Sequence, residues 1–187
     1  KYSQEARRGD LAVMTVGKKA YDTLRKLKCN IIEDHSDLYA ELTFDRVSAL
    51  ADRLMKLYVS KEYDTVEVVY NQFRNAALQK LTDEVFLPVT MEAPSGAAAA
   101  HADYIYEPDQ VSIVSELIPK TLRIKLYRSL LDSFAAEHGA RMTAMHQATD
   151  NATDLIRDLT LQYNKARQAS ITNQLLEVVS GAEALNG

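Results

Sequence analysis

Short apolar runs recur four times in the first half of the chain, each bounded by polar or charged residues. They are rich in valine, isoleucine and other strand-forming residues, and their length suits buried strands. The runs are LAVMTV (11–16), CNII (29–32), VEVVY (66–70) and VFLPV (85–89). The pattern predicts a β-strand at each of them.

Two segments of the first half have helical spacing instead. KKAYDTLRKL (18–27) follows Gly17 and places Tyr21, Leu24 and Leu27 on one face. A second amphipathic helix is predicted by apolar residues that recur every three or four positions: Phe44, Val47, Leu50, Ala51, Leu54, Leu57 and Tyr58. Strands that alternate with helices indicate an α/β fold with a mostly parallel sheet.

The segment MEAPSGAAAAH (91–101) has the composition of a linker, with a proline, a glycine and a run of alanines. We interpret it as a mobile loop or as a point where residues are missing from the sequence. The chain is therefore predicted to contain an α/β domain over residues 1–107 and a helical segment over residues 108–187.

The second half contains one very long predicted helix. Between Pro119 and Gly181 there is no proline, and Gly139 is the only glycine. Proline suits the first turn of a helix and glycine suits its end, so these two residues are predicted to bracket the element. Such a helix is roughly 90 Å long, whereas a compact globule of this chain length is about 40 Å across. The helix must therefore extend beyond its own domain and bind a partner.

A coiled-coil seam can be traced along this helix at steps of three, four and seven residues. Its members are Leu131, Phe134, His138, Arg141, Met145, Ala148, Ala152, Leu155, Leu159, Ala166 and Ala169. The alanines favour close approach of a second helix. No other segment of the chain is long enough to pair with the seam, so its partner must come from another chain or from residues outside this sequence.

The end of the helix, from Ile171 to Leu185, is apolar on most sides, and Glu177 and Glu183 are its only charged residues. A helix of this kind is normally buried. At the far end of a long helix, burial requires a partner that surrounds it.

Composition excludes several classes of protein. The 187 residues are 47% hydrophobic and 26% charged, as in globular proteins, and the net charge of −4 argues against nucleic-acid binding. No apolar run approaches the roughly 20 residues of a membrane span. The opening KYSQEARRGD lacks the apolar stretch of a signal peptide, and the single cysteine, Cys29, allows no internal disulfide.

Candidate catalytic and ligand motifs are weak. VGKK (16–19) lies between a predicted strand and a predicted helix but lacks the rest of a phosphate-binding loop, so an ordinary turn is favoured. His138 and His146 are two helical turns apart, too far to share a metal ion without other ligands, and a packed histidine is favoured at the seam. We therefore predict no catalytic, cofactor or metal site.

Residues 137–185 resemble the carboxy-terminal helix of the gamma subunits of F-type ATP synthases. The matching residues are Glu137-His138, Ala140-Arg141-Met142, Ala148-Thr149, Asn151-Ala152, Tyr163-Asn164, Ala166-Arg167-Gln168-Ala169, Ile171-Thr172 and Ser180-Gly181-Ala182. GKKAYDTL (17–24) and YNQF (70–73) extend the resemblance, more weakly, into the first half.

The resemblance implies a Rossmann-like α/β domain between amino- and carboxy-terminal helices that pair as an antiparallel coiled coil. In this family the coil stands inside a hexamer of alternating catalytic and non-catalytic nucleotide-binding subunits, beside the epsilon subunit and on a membrane ring of proton-carrying subunits. It implies a non-catalytic shaft that transmits torque, bound peripherally at the cytoplasmic face of a bacterial inner membrane. The amino-terminal helix and first strand have no counterpart here, and that helix is the expected partner of the seam.

Arg167 and Gln168 correspond to an Arg-Gln pair that contacts a loop of the catalytic subunit in the family. Without the resemblance, a solvated helix face is the better interpretation of these residues; with it, we expect a contact. The full set of expected partner contacts is Arg167, Gln168, Ile171, Thr172, Leu175, Val178, Val179 and Leu185.

One alternative remains open from the sequence, an α/β ligand-binding domain with a coiled-coil arm that forms a homodimer. A dimerisation arm is expected to end in polar residues, whereas this helix ends in apolar ones. The rotor shaft is therefore the favoured hypothesis.

Overall fold

The computed structural model describes residues 11–89, 107 and 109–186. Their elements in chain order are β1 (Val13–Thr15), α1 (Lys18–Lys26), β2 (Ile31–Asp34), a 3-10 helix (Leu38–Ala40), α2 (Phe44–Val59), β3 (Val66–Asn75), β4 (Leu78–Leu87) and α3 (Gln110–Asn186). Each strand and helix expected in the first half is present, and the predicted α/β fold with a long carboxy-terminal helix is confirmed. The predicted linker at 91–101 lies outside the described residues.

β1 and β2 form the parallel part of the fold, with Val13 opposite Ile31 and Thr15 opposite Asp34. Gly17 makes the turn from β1 into α1 with φ of 107°, a conformation that residues with a side chain rarely adopt. A Cβ at Gly17 would lie 3.5 Å from a ring carbon of Tyr39. The VGKK segment is therefore a tight strand-to-helix turn packed against an aromatic ring.

β3 and β4 form an antiparallel hairpin, which corrects the expectation that the later strands would also pair in parallel. Only Ala76 and Ala77 separate the two strands, and a parallel connection needs a dozen or more residues. The Asn75 side chain closes the turn by accepting the backbone N–H groups of Ala77 at 3.0 Å and Leu78 at 2.7 Å. Both strands are longer than predicted, because the halves next to the turn are mostly polar and therefore escaped a prediction based on apolar runs.

The hydrophobic core joins the α/β elements to the first part of α3. Its buried members are Leu38, Val47, Leu50, Ala51, Phe86, Leu87, Leu122, Leu126 and Leu130. The three leucines of α3 lie four residues apart, on one face of the helix. The chain accordingly divides into two compact units, 1–138 and 139–187, so that the compact α/β unit includes the first turns of the helix and continues past residue 107.

α3 begins earlier than its predicted start at Pro119. The carboxylate of Asp109 accepts the backbone N–H of Ser112 at 2.8 Å and the Ser112 hydroxyl at 2.5 Å, as a helix-capping residue does. These hydrogen bonds lower the pKa of Asp109. Pro119 is internal, and the helix continues through it although a proline removes one backbone hydrogen bond and crowds the preceding turn. Gly181 is internal as well, so neither predicted bracket is a terminus.

Two lysines end the shorter helices in the left-handed conformation. Lys28 and Lys61 have φ of 56° and 58°. After α2, the N–H of Lys61 donates to the carbonyl of Tyr58 at 3.1 Å, and the N–H of Glu62 donates to the carbonyl of Leu57 at 3.2 Å. This is the Schellman pattern, in which glycine is the usual residue at the left-handed position.

Replacing Lys61 with glycine is expected to raise the free energy of unfolding by about 0.5–1 kcal/mol, because glycine adopts this conformation without steric strain. Urea unfolding of the chain measures the change. Lys56→Gly, inside α2, is the matched control and should destabilise by about 1 kcal/mol. Equal destabilisation by both variants would contradict the assignment of strain to Lys61.

Candidate partner-binding surface

The helix beyond residue 138 exposes nearly all of its described side chains. Gly139 and Thr143 are half-buried, and all other residues from 140 to 184 are exposed. The large hydrophobic residues among them are Met142, Met145, Leu155, Ile156, Leu159, Leu161, Tyr163, Ile171, Leu175, Leu176, Val178 and Val179. Monomeric proteins rarely expose a continuous apolar surface of this extent, so it has the properties of an interface.

The middle of this unit has an apolar side and an acidic side. With about 100° of rotation per residue, the seam positions from Met145 to Ala166 fall within an arc of about 80°. The carboxylates of Asp150, Asp154 and Asp158 lie on a different face, roughly 140° away. The predicted seam is therefore a continuous stripe of alanine and larger apolar side chains, suited to the close approach of another helix.

The expected partner contacts near the end of the helix fall on two adjacent rows. Residues separated by four, seven and eleven positions share a helix face. One row contains Gln168, Thr172, Leu175 and Val179, and the neighbouring row contains Arg167, Ile171 and Val178. The structure thus gathers these side chains on one broad surface, with the polar residues at its beginning.

The polar beginning of this surface has free hydrogen-bonding capacity. The Thr172 hydroxyl donates to the backbone carbonyl of Gln168 at 2.9 Å. The Gln168 side chain is exposed. Within the described part of the chain, the Arg167 guanidinium makes no ion pair. A planar guanidinium beside an exposed amide suits recognition of a carboxylate or of backbone carbonyls.

The apolar end of the surface is uniformly exposed. The relative exposure of its large hydrophobic residues, from Ile171 to Val179, ranges from 47% to 69%. Leu185 belongs to the helix, but its side chain lies outside the described residues. Full burial of a leucine or valine side chain stabilises by about 1.5–3 kcal/mol, so a sleeve around this end would contribute substantial binding energy.

Two of the first residues of the predicted seam, Phe134 and His138, make aromatic contacts within the α/β unit. The Phe134 ring stacks on Tyr39 with 5.9 Å between ring centroids, and the His138 ring packs edge-on against Phe134 at 4.4 Å. Burial raises the pKa of Tyr39. The His138 ring thus contacts an aromatic ring of its own helix, while the residue as a whole remains exposed. Among residues 11–89, 107 and 109–186, no group of three or more potential ligands is placed to hold a metal ion.

Polar contacts that the sequence pattern missed fix the first part of α3. Arg123 Nε donates to Asp52 Oδ1 at 2.8 Å, and Lys125 Nζ donates to the carbonyl of Val85 at 3.0 Å. Both residues flank the buried Leu122 and Leu126. The sequence does show charged residues at the borders of the apolar face of this helix. It does not show which residues they bind.

The α/β unit also contains a shallow cavity of about 210 Å³ between β3, β4 and α3. Its carboxylate, Glu84, accepts the Tyr70 hydroxyl at 3.0 Å and lies 3.6 Å from Lys125 Nζ. Burial and this hydrogen bond raise the pKa of Tyr70.

Within the described residues, no helix combines the length and hydropathy needed to cross a membrane.

Comparison by sequence relates the chain to ATP synthase gamma chains. A model of the ATP synthase family matches residues 1–185. The ATP synthase gamma chain of Christiangramia forsetii is 52% identical over 178 residues, which are 95% of this chain and 61% of that protein. That of Flavobacterium johnsoniae is 52% identical over 175 residues, 94% of this chain and 60% of that protein. The chain thus spans about three-fifths of the length of these curated relatives.

Solved structures share the fold. A chain from the cryo-EM structure of the Euglena gracilis mitochondrial ATP synthase, OSCP/F1/c-ring, rotational state 3, has a TM-score of 0.64 at 20% identity, covering 98% of this chain and 65% of that chain. A chain from the rotor of the same synthase in rotational state 1 has a TM-score of 0.59 at 19% identity, covering 91% and 66%. With the family match along almost its whole length, the chain belongs to the ATP synthase gamma family.

Proposed function

We propose that the chain is part of the central rotor shaft of a rotary ATP synthase and has no catalytic chemistry of its own. It transmits torque between a proton-driven membrane ring and a hexamer of alternating catalytic and non-catalytic nucleotide-binding subunits, next to an epsilon subunit. The observation that carries the proposal is the exposed apolar surface along residues 140–184. Family membership supports the identity of the partners.

Two contacts follow from this assignment. The alanine-rich seam pairs with a second helix, the amino-terminal helix of the complete subunit, in an antiparallel coiled coil. The end of the helix turns inside the hexamer, with its apolar residues lining a sleeve. The subunit is peripheral, at the cytoplasmic face of a bacterial inner membrane, in keeping with the bacterial relatives.

A shaft needs directional contacts as well as burial. An apolar helix that turns in an apolar sleeve meets similar contacts at every angle, because the hydrophobic effect is non-directional. Arg167 and Gln168 supply hydrogen bonds that form at some rotary positions and break at others. Charge-assisted hydrogen bonds of this kind contribute about 1.5–3 kcal/mol each.

Replacing Arg167 and Gln168 together with alanine is therefore expected to lower coupled ATP synthesis by about tenfold or more, the factor that corresponds to about 1.4 kcal/mol. The measurement is ATP synthesis and ATP-driven proton pumping by assembled complexes at matched subunit content. The α/β domain should remain folded, since both residues lie outside its core.

The matched control is the Arg157→Ala and Gln162→Ala double variant, which removes the same residue types from exposed positions on the same helix. It should do less damage, as should removal of residues 184–187. Wild-type rates in the first variant together with a large loss in either control would contradict the role of Arg167 and Gln168.

The isolated chain is expected to self-associate without a fixed stoichiometry, because its apolar stripe then has no designated partner. Light scattering over a range of concentrations measures this. Leu155→Glu combined with Leu159→Glu should reduce the association by placing charges on the stripe. A well-defined dimer that these substitutions dissociate would favour the homodimerisation arm instead.

A further inference from the structure

The apolar packing of α3 in the α/β unit leaves one degree of freedom weakly restrained. Leu122, Leu126 and Leu130 form a single row buried against the core. A row of aliphatic side chains on one face holds the helix against the domain and opposes large turns, which would expose the leucines. Over small angles it restrains the helix weakly, because the attraction is non-directional. A shaft driven through this domain needs additional restraint at this point.

Polar tethers flank the leucine row. On one side, the Arg123 guanidinium bonds to Asp52 of α2 at 2.8 Å. On the other side, Lys125 Nζ bonds to the backbone carbonyl of Val85 in β4 at 3.0 Å and lies 3.6 Å from the Glu84 carboxylate. Each tether therefore connects the helix to a different element of the domain.

The spacing of Arg123 and Lys125 along the helix determines how they restrain its rotation. Two positions along a helix correspond to a rotation of about 200°, so the side chains of Arg123 and Lys125 leave the helix in nearly opposite directions. Turning the helix in either sense moves both side chains relative to their partners. Hydrogen bonds weaken steeply with misalignment, so the pair resists rotation in both directions.

Neighbouring contacts hold the tether partners in place. The Tyr70 hydroxyl donates to Glu84 at 3.0 Å and anchors that carboxylate to β3. One turn beyond Arg123, the Tyr127 ring packs edge-on against Phe44 of α2 with 5.6 Å between ring centroids. Both sides of the helix are thus connected to regular secondary structure.

We propose that Arg123 and Lys125 are positioning residues that form a rotational clamp, through which the α/β domain transmits torque to the long helix. This inference rests on the proposed rotor function. The clamp acts by fixing the angle of the helix in its domain.

The test is the Arg123→Ala and Lys125→Ala double variant in the assembled synthase, with ATP hydrolysis and ATP-driven proton pumping measured in the same vesicles. We expect the ratio of pumping to hydrolysis to fall by about twofold or more, since torque is lost as the helix slips. Arg53→Ala is the matched control, because Arg53 Nε also pairs with a carboxylate, that of Glu33, at 2.8 Å, but this pair joins α2 to β2 and does not involve α3. It should leave the ratio unchanged.

A second variant separates positioning from folding. Asp52→Arg combined with Arg123→Asp reverses the ion pair, and in the Lys125→Ala background it should restore part of the ratio that Arg123→Ala loses. An unchanged ratio in the clamp variant, or an equal fall in Arg53→Ala, would overturn the clamp. If the wild-type chain itself fails to couple pumping to hydrolysis, the rotor function fails instead, so the two failures are distinguishable.

Discussion

Burial of the leucine row of α3 is the interaction on which the described structure depends. Leu122, Leu126 and Leu130 occupy the same core as Val47 of α2 and Phe86 of β4. Without them the small parallel pair and the hairpin would have little common apolar surface, and an isolated two-stranded hairpin is marginally stable at best. One helix therefore organises the α/β unit and continues into a segment that has no core.

The contrast between the two compact units has a functional consequence. The described residues up to 138 contain all of the buried core, although several of their large hydrophobic residues are exposed, whereas residues 140–184 bury none of theirs. A single helix cannot enclose its own side chains, so its apolar stripe is stable in water only against a partner. This requirement agrees with membership in a family of subunits of a large assembly.

Directional contacts distinguish a shaft from a simple anchor. The first turns of α3 have such contacts in Arg123 and Lys125, whose partners lie on different elements of the α/β unit. We expect the polar residues Arg167 and Gln168 to make others near the end of the helix. Between these two regions, the stripe of alanine and larger apolar residues provides apolar contact area without directional bonds. Such a surface suits continuous pairing with a second helix.

The sequence by itself determined the elements, the long helix and its apolar stripe, because periodic spacing of apolar residues is a local property of the chain. It also led to the prediction that Arg167 and Gln168 contact a partner, through a resemblance that is strongest in the long helix. Only the tertiary structure decided that β3 and β4 form an antiparallel hairpin, that Pro119 lies inside α3, and that the compact unit extends to His138. The tertiary structure also decided the hydrogen bonds of Arg123 and Lys125. Their partners lie 71 and 40 positions away in the chain, respectively. Such pairings depend on how elements pack in space, and no local pattern of hydrophobic and polar residues encodes them.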